Sequence, residues 1–282
     1  MSTAQTLALG AVAGFTILLG LPLGRVRSTD VRLRAGLSAL ACGVLLFLLW
    51  DVLVHGVEPV EEALTGAVEG DGSWAEFIGY AALLVGGLIA GLMSLVYYDR
   101  WMKQRRSSTL VGPGAAAIDE FASRPWIDRL STGRQLALLI ATGIGLHNFG
   151  EGLAIGQAAA SDEVSLALVL IIGFALHNAT EGFGIVGPMS GEAERPSWGY
   201  LALLGLIGGG PTFVGTVIGQ AWVSEALQVA FFAVAAGSIL YVVIQLLDVC
   251  RRYALPTVVA WWILIGLMLG FATDFVLVAA GA

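Results

Sequence analysis

The chain has 282 residues, of which 57% are apolar and only 12% are charged, and its mean hydropathy is +0.84. Soluble domains carry about a quarter charged residues, so this composition excludes an ordinary soluble protein and indicates that lipid is the main solvent. The formal net charge of −7 disfavours nucleic acid as a partner and favours cations. Two cysteines, Cys42 and Cys250, are too few for a disulfide framework or a thiolate metal knuckle.

Eight stretches stay apolar over about 20 residues, the length with which a helix crosses the hydrocarbon core. They cover roughly residues 4–24, 33–55, 74–99, 135–159, 164–188, 197–222, 225–248 and 256–280. No stretch remains for a sizeable soluble domain. We therefore predict an all-α polytopic membrane protein in which residues 1–282 form a single transmembrane domain of eight helices in one bundle.

The basic residues predict the orientation, because Lys and Arg mark the cytoplasmic ends of spans. All 14 lie between spans one and two, three and four, five and six, or seven and eight. Both termini are therefore expected to be extracytoplasmic, and the longest connection, about 100–134, is expected to be a cytoplasmic loop.

The loop after span two is then expected to lie outside. It carries five acids and no base: Glu58, Glu61, Glu62, Glu69 and Asp71. Such a loop either concentrates cations at an entrance or is simply a solvated surface, and the sequence leaves both interpretations open.

A motif that occurs twice carries the chemistry. Leu-His-Asn-Phe-Gly-Glu-Gly at 146–152 recurs as Leu-His-Asn-Ala-Thr-Glu-Gly at 176–182. Residues i and i+4 share a helix face, so each helix presents a His and a Glu together, with an Asn beside them. The candidate metal ligands are His147, Asn148, Glu151, His177, Asn178 and Glu181.

Both histidines are expected near the bilayer midplane. His147 stands about 12 residues from the cytoplasmic end of its span, and His177 about 13 residues from the outer end of the next, at about 1.5 Å per residue. The short connection 160–163 predicts antiparallel neighbours. His147 should then lie level with Glu181, and Glu151 level with His177.

The electrostatics favour a metal ion at this point. An ionised carboxylate at the bilayer centre costs at least about 2.5–3.5 kcal/mol, and two of them repel each other. A divalent cation removes both penalties, since two imidazoles and two carboxylates supply four donors. This donor set favours Zn²⁺ or another divalent transition metal such as iron, manganese, cadmium or cobalt. The competing interpretation is a buried polar knot that merely fastens two helices together.

The paired motif resembles that of the ZIP (Zrt-/Irt-like) divalent metal transporters, whose fourth and fifth helices carry His-Asn-x-Pro-Glu-Gly. The resemblance implies a helical bundle that moves metal, zinc first, toward the cytoplasm by alternating access through a site between those helices. By the same resemblance the main site comprises His147, Glu151, His177 and Glu181. It also implies that Asn148 and Asn178 help to form an adjacent second metal position.

The chain departs from the family pattern at three places. Gly150 and Thr180 replace the proline of the motif, and Gly210 stands where a glutamate before proline is expected in span six. Near the end of span seven, Gln245 occupies a position where relatives often have an acid. We therefore expect a mononuclear site, with metal leaving by way of Asp248 or the long loop.

Three further polar residues lie within or at the ends of spans. Asp51 and His55 form an i, i+4 pair at the outer end of span two, which either passes metal inward from the entrance or is only an interfacial pair. Asp274 is a single intramembrane acid in span eight, and the sequence assigns it no partner.

Two other functions would use the same metal: a membrane metalloenzyme and a non-transporting metal sensor. Neither a His-Glu-x-x-His line nor a separate acid and base is present, so we expect no enzyme, no catalytic residues and no cofactor-binding motif. The expected partners are the divalent metal ion, as transported substrate, and the lipid bilayer. A homodimer is one expected assembly, and the expected location is a prokaryotic plasma (inner) membrane.

Overall fold

The computed structural model describes residues 2–26, 30–107, 126–160, 164–189, 192, 194–221 and 224–280. Within these ranges the chain is helical and contains no β-strand. The α-helices found there are α1 (Thr3–Phe15), α2 (Val31–Glu69), α3 (Trp74–Ser107), α4 (Thr132–Ala160), α5 (Val164–Val186), α6 (Trp198–Ala221), α7 (Glu225–Arg252) and α8 (Pro256–Ala280). Short 3₁₀ turns cover Thr16–Leu19, Leu21–Arg25, Trp126–Arg129 and Gly187–Met189.

Seven helical segments of the described chain are long and apolar enough to cross a membrane: Thr3–Arg25, Val31–Glu69, Trp74–Trp101, Thr132–Ala160, Trp198–Ala221, Glu225–Arg252 and Pro256–Val276. The prediction of an all-α polytopic membrane protein is therefore confirmed. Helix α5 has 23 residues and a single charged one, Glu181. An eighth crossing by α5 and the placement of the termini stay predictions.

The ends of several helices are set by local signals in the sequence. Ser2 caps α1 in a reciprocal pair with Gln5, and Asp30 and Ser224 accept backbone N–H bonds at the starts of α2 and α7. Helix α2 ends at Gly70, whose φ of 88° is a left-handed conformation that favours glycine.

Helix α2 is longer than the predicted span. It continues to Glu69, so four of the five acids assigned to an outer loop are exposed residues of a helix: Glu58, Glu61, Glu62 and Glu69. The prediction of a loop there was wrong, because no stop signal comes before Gly70 and Pro59 is accommodated inside the helix.

The predicted cytoplasmic loop at about 100–134 is also partly helical. Helix α3 continues to Ser107, the turn Trp126–Arg129 precedes α4, and α4 begins at Thr132. Residues 108–125 of this loop lie outside the described residues.

The eight described helices form two groups of four. Bundle 1 consists of α1, α4, α5 and α6, and α4 packs most extensively against α6. Bundle 2 consists of α2, α3, α7 and α8, in which α7 packs along α3 and α2 packs along α8. The bundles meet where α4 contacts α7 and where α5 contacts α2 and α8. The single bundle expected from the sequence is thus subdivided.

Helices approach each other most closely inside each bundle. In bundle 1, a Cβ at Gly152 of α4 would collide with the carbonyl oxygen of Thr212 in α6. In bundle 2, a Cβ at Gly91 would collide with the carbonyl oxygen of Val234. Between the bundles, a Cβ at Gly143 would meet its nearest atom, in Ser238, at an ordinary 3.7 Å. Backbone contact mediated by glycine therefore tightens each bundle more than this part of their junction.

Candidate metal site

Three ionisable side chains from α4 and α5 lie together in bundle 1. His147 and Glu151, one turn apart on α4, have Nε2 and Oε1 separated by 3.2 Å. Oε1 of Glu181, on α5, lies 4.0 Å from the same Nε2. The three residues are only 2%, 3% and 0% exposed, respectively. One imidazole thus lies between two buried carboxylates that belong to different helices.

The fourth ligand expected from the repeat is His177. Its backbone belongs to α5, one turn before Glu181, but its side chain lies outside the described residues. Among the side chains that the structure does describe, no group of three or more His, Cys, Asp or Glu is arranged to hold a metal ion. A complete ligand set would therefore need His177 or a rearrangement of the other three.

The amide of Asn148 connects the carboxylate of Glu181 to a neighbouring helix. Its Nδ2 group lies 2.6 Å from Oδ1 of Asn178, 3.1 Å from Oε2 of Glu181 and 3.0 Å from the carbonyl oxygen of Gly208 in α6. All three partners are acceptors, which determines which end of the amide is the nitrogen. Asn178 in turn donates to the carbonyl oxygen of Ala13 in α1 at 3.1 Å. The two amides therefore join all four helices of bundle 1.

One acceptor in this network is left over. Oδ1 of Asn148 is fully buried and has no hydrogen-bond partner within the described residues. A buried carbonyl oxygen without a donor is unfavourable, so this atom is suited to receive a cation or an added donor. Asn178 differs, because both ends of its amide are engaged by Asn148 and Ala13.

Among the described side chains of the cluster, the charges do not balance without an added cation or proton. A single imidazolium compensates one carboxylate, whereas Glu151 and Glu181 both lie against His147. Two buried carboxylates beside one imidazole either share protons or bind a cation. A divalent ion that replaced those protons would make binding release them to solvent.

The helices around the site are regular. Helices α4 and α5 are α-helical through Gly150 and Thr180, so the unwinding that these residues would permit is not present in the described helices. Instead, the missing side chain of Gly150 makes room for the ring of Phe232 in α7, because a Cβ there would lie only 2.5 Å from that ring. The sequence reasoning missed Phe232, which no motif singled out.

Position 210 does not contact the described side chains of the cluster. Among the described residues, a Cβ on Gly210 would have only Leu206, on its own helix, within 4 Å. Its neighbour Gly209 packs directly against Gly14 of α1. Thr212 of α6 is buried toward α1, and its Oγ1 makes no hydrogen bond within the described residues.

The predicted outer pair is present at the surface of α2. Nδ1 of His55 lies 2.9 Å from the carbonyl oxygen and 3.6 Å from Oδ1 of Asp51. The side chain of His55 is 53% exposed and that of Asp51 is 17% exposed. The ring of His55 also packs on Phe232, with 5.8 Å between centroids.

Asp248 lines a cavity of about 250 Å³ at the opposite end of bundle 2, where α3, α4 and α7 meet. It pairs with Arg252 at 2.6 Å, and Gln245 donates to the hydroxyl of Tyr241 at 2.7 Å in the same cavity. Asp99 of α3 also lines the cavity and was missed by the sequence reasoning. Its signal was an acid at the basic end of span three.

Comparison with known families bears on what these side chains do. Residues 124–277 match the family described as ZIP zinc transporter. The match spans more than half of the chain and includes both copies of the His-Asn-x-x-Glu motif. No curated protein matches the chain. With its membrane-crossing helices, the protein is an integral, multi-pass transporter of divalent metal, and the chain belongs to the ZIP zinc transporter family.

Proposed function

We propose that the protein carries zinc, or a related divalent transition metal, toward the cytoplasm by alternating access. The metal binds between α4 and α5 to His147, Glu151, His177 and Glu181. The observation that carries this proposal is the burial of two carboxylates around one imidazole. His147 and Glu151 belong to α4, a helix long and apolar enough to cross a membrane, and Glu181 comes from the neighbouring α5. Two imidazoles and two carboxylates form a neutral four-donor site for a divalent ion.

The site is proposed to hold one metal ion at a time. No carboxylate from α6 supports a second position, because Gly210 faces away from the cluster and Thr212 offers only a hydroxyl. Asn178 is already bonded through both ends of its amide, so we assign it the role of fixing Asn148. Asn148 positions Glu181, and its Oδ1 is an additional oxygen donor.

The orientation follows from the distribution of charge. Eight spans with both termini outside put all 14 basic residues on the cytoplasmic side. Metal then arrives from the side of Asp51 and His55 and leaves on the side of Asp248 and Asp99. We place the whole chain, as a single domain, in the plasma membrane of a prokaryote.

Movement between the two bundles is the proposed basis of alternating access. The metal ligands belong to bundle 1, whereas Asp51, His55, Asp99 and Asp248 belong to bundle 2. A displacement of bundle 1 along bundle 2 would carry the bound ion from the first pair of residues to the second without dismantling the site. The looser contact at Gly143, compared with the backbone contacts inside each bundle, supports this division.

Zinc uptake into sealed proteoliposomes tests the function, with cadmium and iron as competitors and bound metal counted on the same preparations. The wild-type chain is compared with Glu181→Gln, which keeps the shape of the side chain, and with His177→Ala/Glu181→Ala. Glu194→Gln is the control, because that carboxylate is 87% exposed and lies 3.9 Å from Arg134 near the start of α4, about three and a half turns from His147.

We expect saturable uptake and about one bound zinc per wild-type chain, both retained in Glu194→Gln and both lost in the two site variants. Metal that binds without crossing the membrane would contradict transport and favour a sensor or an enzyme. Uptake that survives in both site variants would instead show that the transported metal does not depend on a site between α4 and α5.

A further inference from the structure

One aromatic side chain contacts both the outer pair and the helix that carries His147 and Glu151. Phe232 of α7 is 6% exposed. A Cβ added to Gly56 of α2 would be 3.2 Å from the Cβ of Phe232, and one added to Gly150 of α4 would be 2.5 Å from its ring. Phe232 is therefore packed between two glycines, one from each bundle, with its Cβ against Gly56 and its ring against Gly150. The imidazole of His55 packs beside the ring at 5.8 Å.

The two ends of this contact belong to the two polar groups described above. His55 is bonded to Asp51, at one end. Gly150 directly precedes Glu151, which lies 3.2 Å from His147, at the other end. Since α4 runs from Thr132 toward Ala160, Gly150 is about one turn beyond His147 in the direction of the outer side.

We propose that Phe232 is the gating residue on the outer side, and that its seat in the Gly150 notch closes the path from Asp51 and His55 to the metal site. The inference rests on the proposed function. A hydrated cation cannot pass an apolar ring that is packed directly against the backbone of α4 at Gly150. The outer path therefore opens only when α4 moves and Gly150 withdraws from the ring.

This role also explains why position 150 is glycine. In the motif of the family a proline stands there, and its ring would occupy the volume that Phe232 fills. The absent side chain and the large neighbouring one form a matched pair across the junction of the bundles. Any side chain larger than hydrogen at position 150 should displace the ring and favour the open arrangement.

The test measures access to the metal site from each face of the membrane. A thiol reagent that does not cross membranes is applied to right-side-out and inside-out vesicles that contain the protein with the reporter His147→Cys. The native Cys42 and Cys250 are buried and give the background in the chain without the reporter. Labelling of Glu61→Cys in separate vesicles identifies the face on which the outer end of α2 lies.

We expect Gly150→Ala and Phe232→Ala to raise the labelling rate of the reporter by about tenfold from the Glu61 face, because each shifts the balance between closed and open states. Two matched controls should leave the rate unchanged. In Gly143→Ala the added methyl group also points from α4 toward α7, but its nearest neighbour, Ser238, lies at an ordinary contact distance of 3.7 Å. Phe231→Ala removes the neighbouring ring of α7. That ring packs on Phe149, with 4.6 Å between the ring centroids.

A direct contact also predicts compensation. Gly150→Ala/Phe232→Leu should return the labelling rate close to that of the parent, since the smaller side chain makes room for the added methyl group. Phe232→Leu is also the variant to use where Phe232→Ala does not fold.

The proposal is overturned where the Gly150 and Phe232 variants label no faster than the parent, or where the two controls accelerate labelling equally. Zinc uptake by the wild-type chain, measured in the same vesicles, separates this failure from that of the proposed function. If the wild-type chain takes up zinc but the variants label no faster than the parent, the gating role of Phe232 is wrong and the transport function still stands.

Discussion

The amide nitrogen of Asn148 donates to the carboxylate of Glu181 at 3.1 Å while both side chains are fully buried. The same nitrogen also contacts Asn178 and the carbonyl oxygen of Gly208. One amide therefore fixes the orientation of a carboxylate on α5 by means of a helix, α6, that supplies no charged group to the site. Orientation of a metal-binding carboxylate by a hydrogen-bond donor is a common determinant of metal affinity.

Asn148→Ala should therefore weaken zinc binding by about 10–100-fold, the usual effect of removing a group that orients a ligand. The measurement is zinc affinity by competition with a chelator of known strength. Gln135→Ala is the matched control, because this buried amide on the same helix bonds two carbonyl oxygens near the start of α4. Equal losses of affinity in the two variants would show that Asn148 acts through general stability only.

Thr212 gives a test of the mononuclear site. Its Oγ1 has no hydrogen-bond partner within the described residues, so Thr212→Val should leave the midpoint of thermal unfolding unchanged or slightly raised, and bound zinc at about one per chain. Thr216→Val is the control one turn further on, because its hydroxyl donates to the carbonyl oxygen of Thr212 at 2.8 Å.

The control should lose about 0.5–1.5 kcal/mol of stability, the usual value of one hydrogen bond. Stability is measured by thermal unfolding in detergent, and bound zinc is measured by metal counting. Loss of bound zinc or of uptake in Thr212→Val would identify its hydroxyl as a metal ligand, against the assignment made here.

The repeat of His-Asn-x-x-Glu carried the resemblance to the family, which the match over residues 124–277 confirms. Its i, i+4 spacing predicted which side chains share a helix face. The length of α2 was not predicted, since hydropathy falls at the acids although the backbone stays helical to Glu69. Local sequence patterns could not predict the contacts between helices that are distant in sequence. The packing of Phe232 on Gly150 is one of them, and the dominance of α6 over α5 as the neighbour of α4 is another.

The carboxylates in the cavity at the opposite end of bundle 2 should affect the rate of zinc uptake but not the amount of zinc bound. In Asp99→Asn/Asp248→Asn, both carboxylates that line it lose their charge. Zinc uptake should slow by about tenfold, near the lower limit of what charge focusing contributes to rates. Bound zinc should remain at the wild-type level, because neither residue belongs to α4 or α5.

Ionic strength distinguishes this electrostatic role from a structural one. The difference between wild type and variant should shrink between about 0.01 M and 1 M salt, over which the screening length falls from roughly 30 Å to 3 Å. Arg252→Gln is the control, since it removes the partner of Asp248 and leaves both carboxylates in the cavity. A difference that does not depend on salt would contradict charge focusing.

Two adjacent glycines of α6 should respond in opposite ways to the same added methyl group. A Cβ at Gly209 would collide with the carbonyl oxygen of Gly14 in α1, whereas one at Gly210 would meet only Leu206 at 3.5 Å. Gly209→Ala should lose about 1–3 kcal/mol through overpacking. Gly210→Ala should be neutral or gain up to about 1 kcal/mol, since alanine favours the helix. Thermal unfolding of both variants in the same detergent measures the contrast.

The same geometry predicts that a carboxylate cannot be restored to the site from position 210. Gly210→Glu would direct its side chain away from Asn148 and Glu181, so bound zinc should stay at about one per chain. Thr212→Glu is the informative comparison, because that position is buried toward α1 and lies one turn from Gly208, the partner of Asn148. A second bound zinc in Gly210→Glu would mean that α6 is rotated about its axis, so that position 210 faces Asn148 and Glu181.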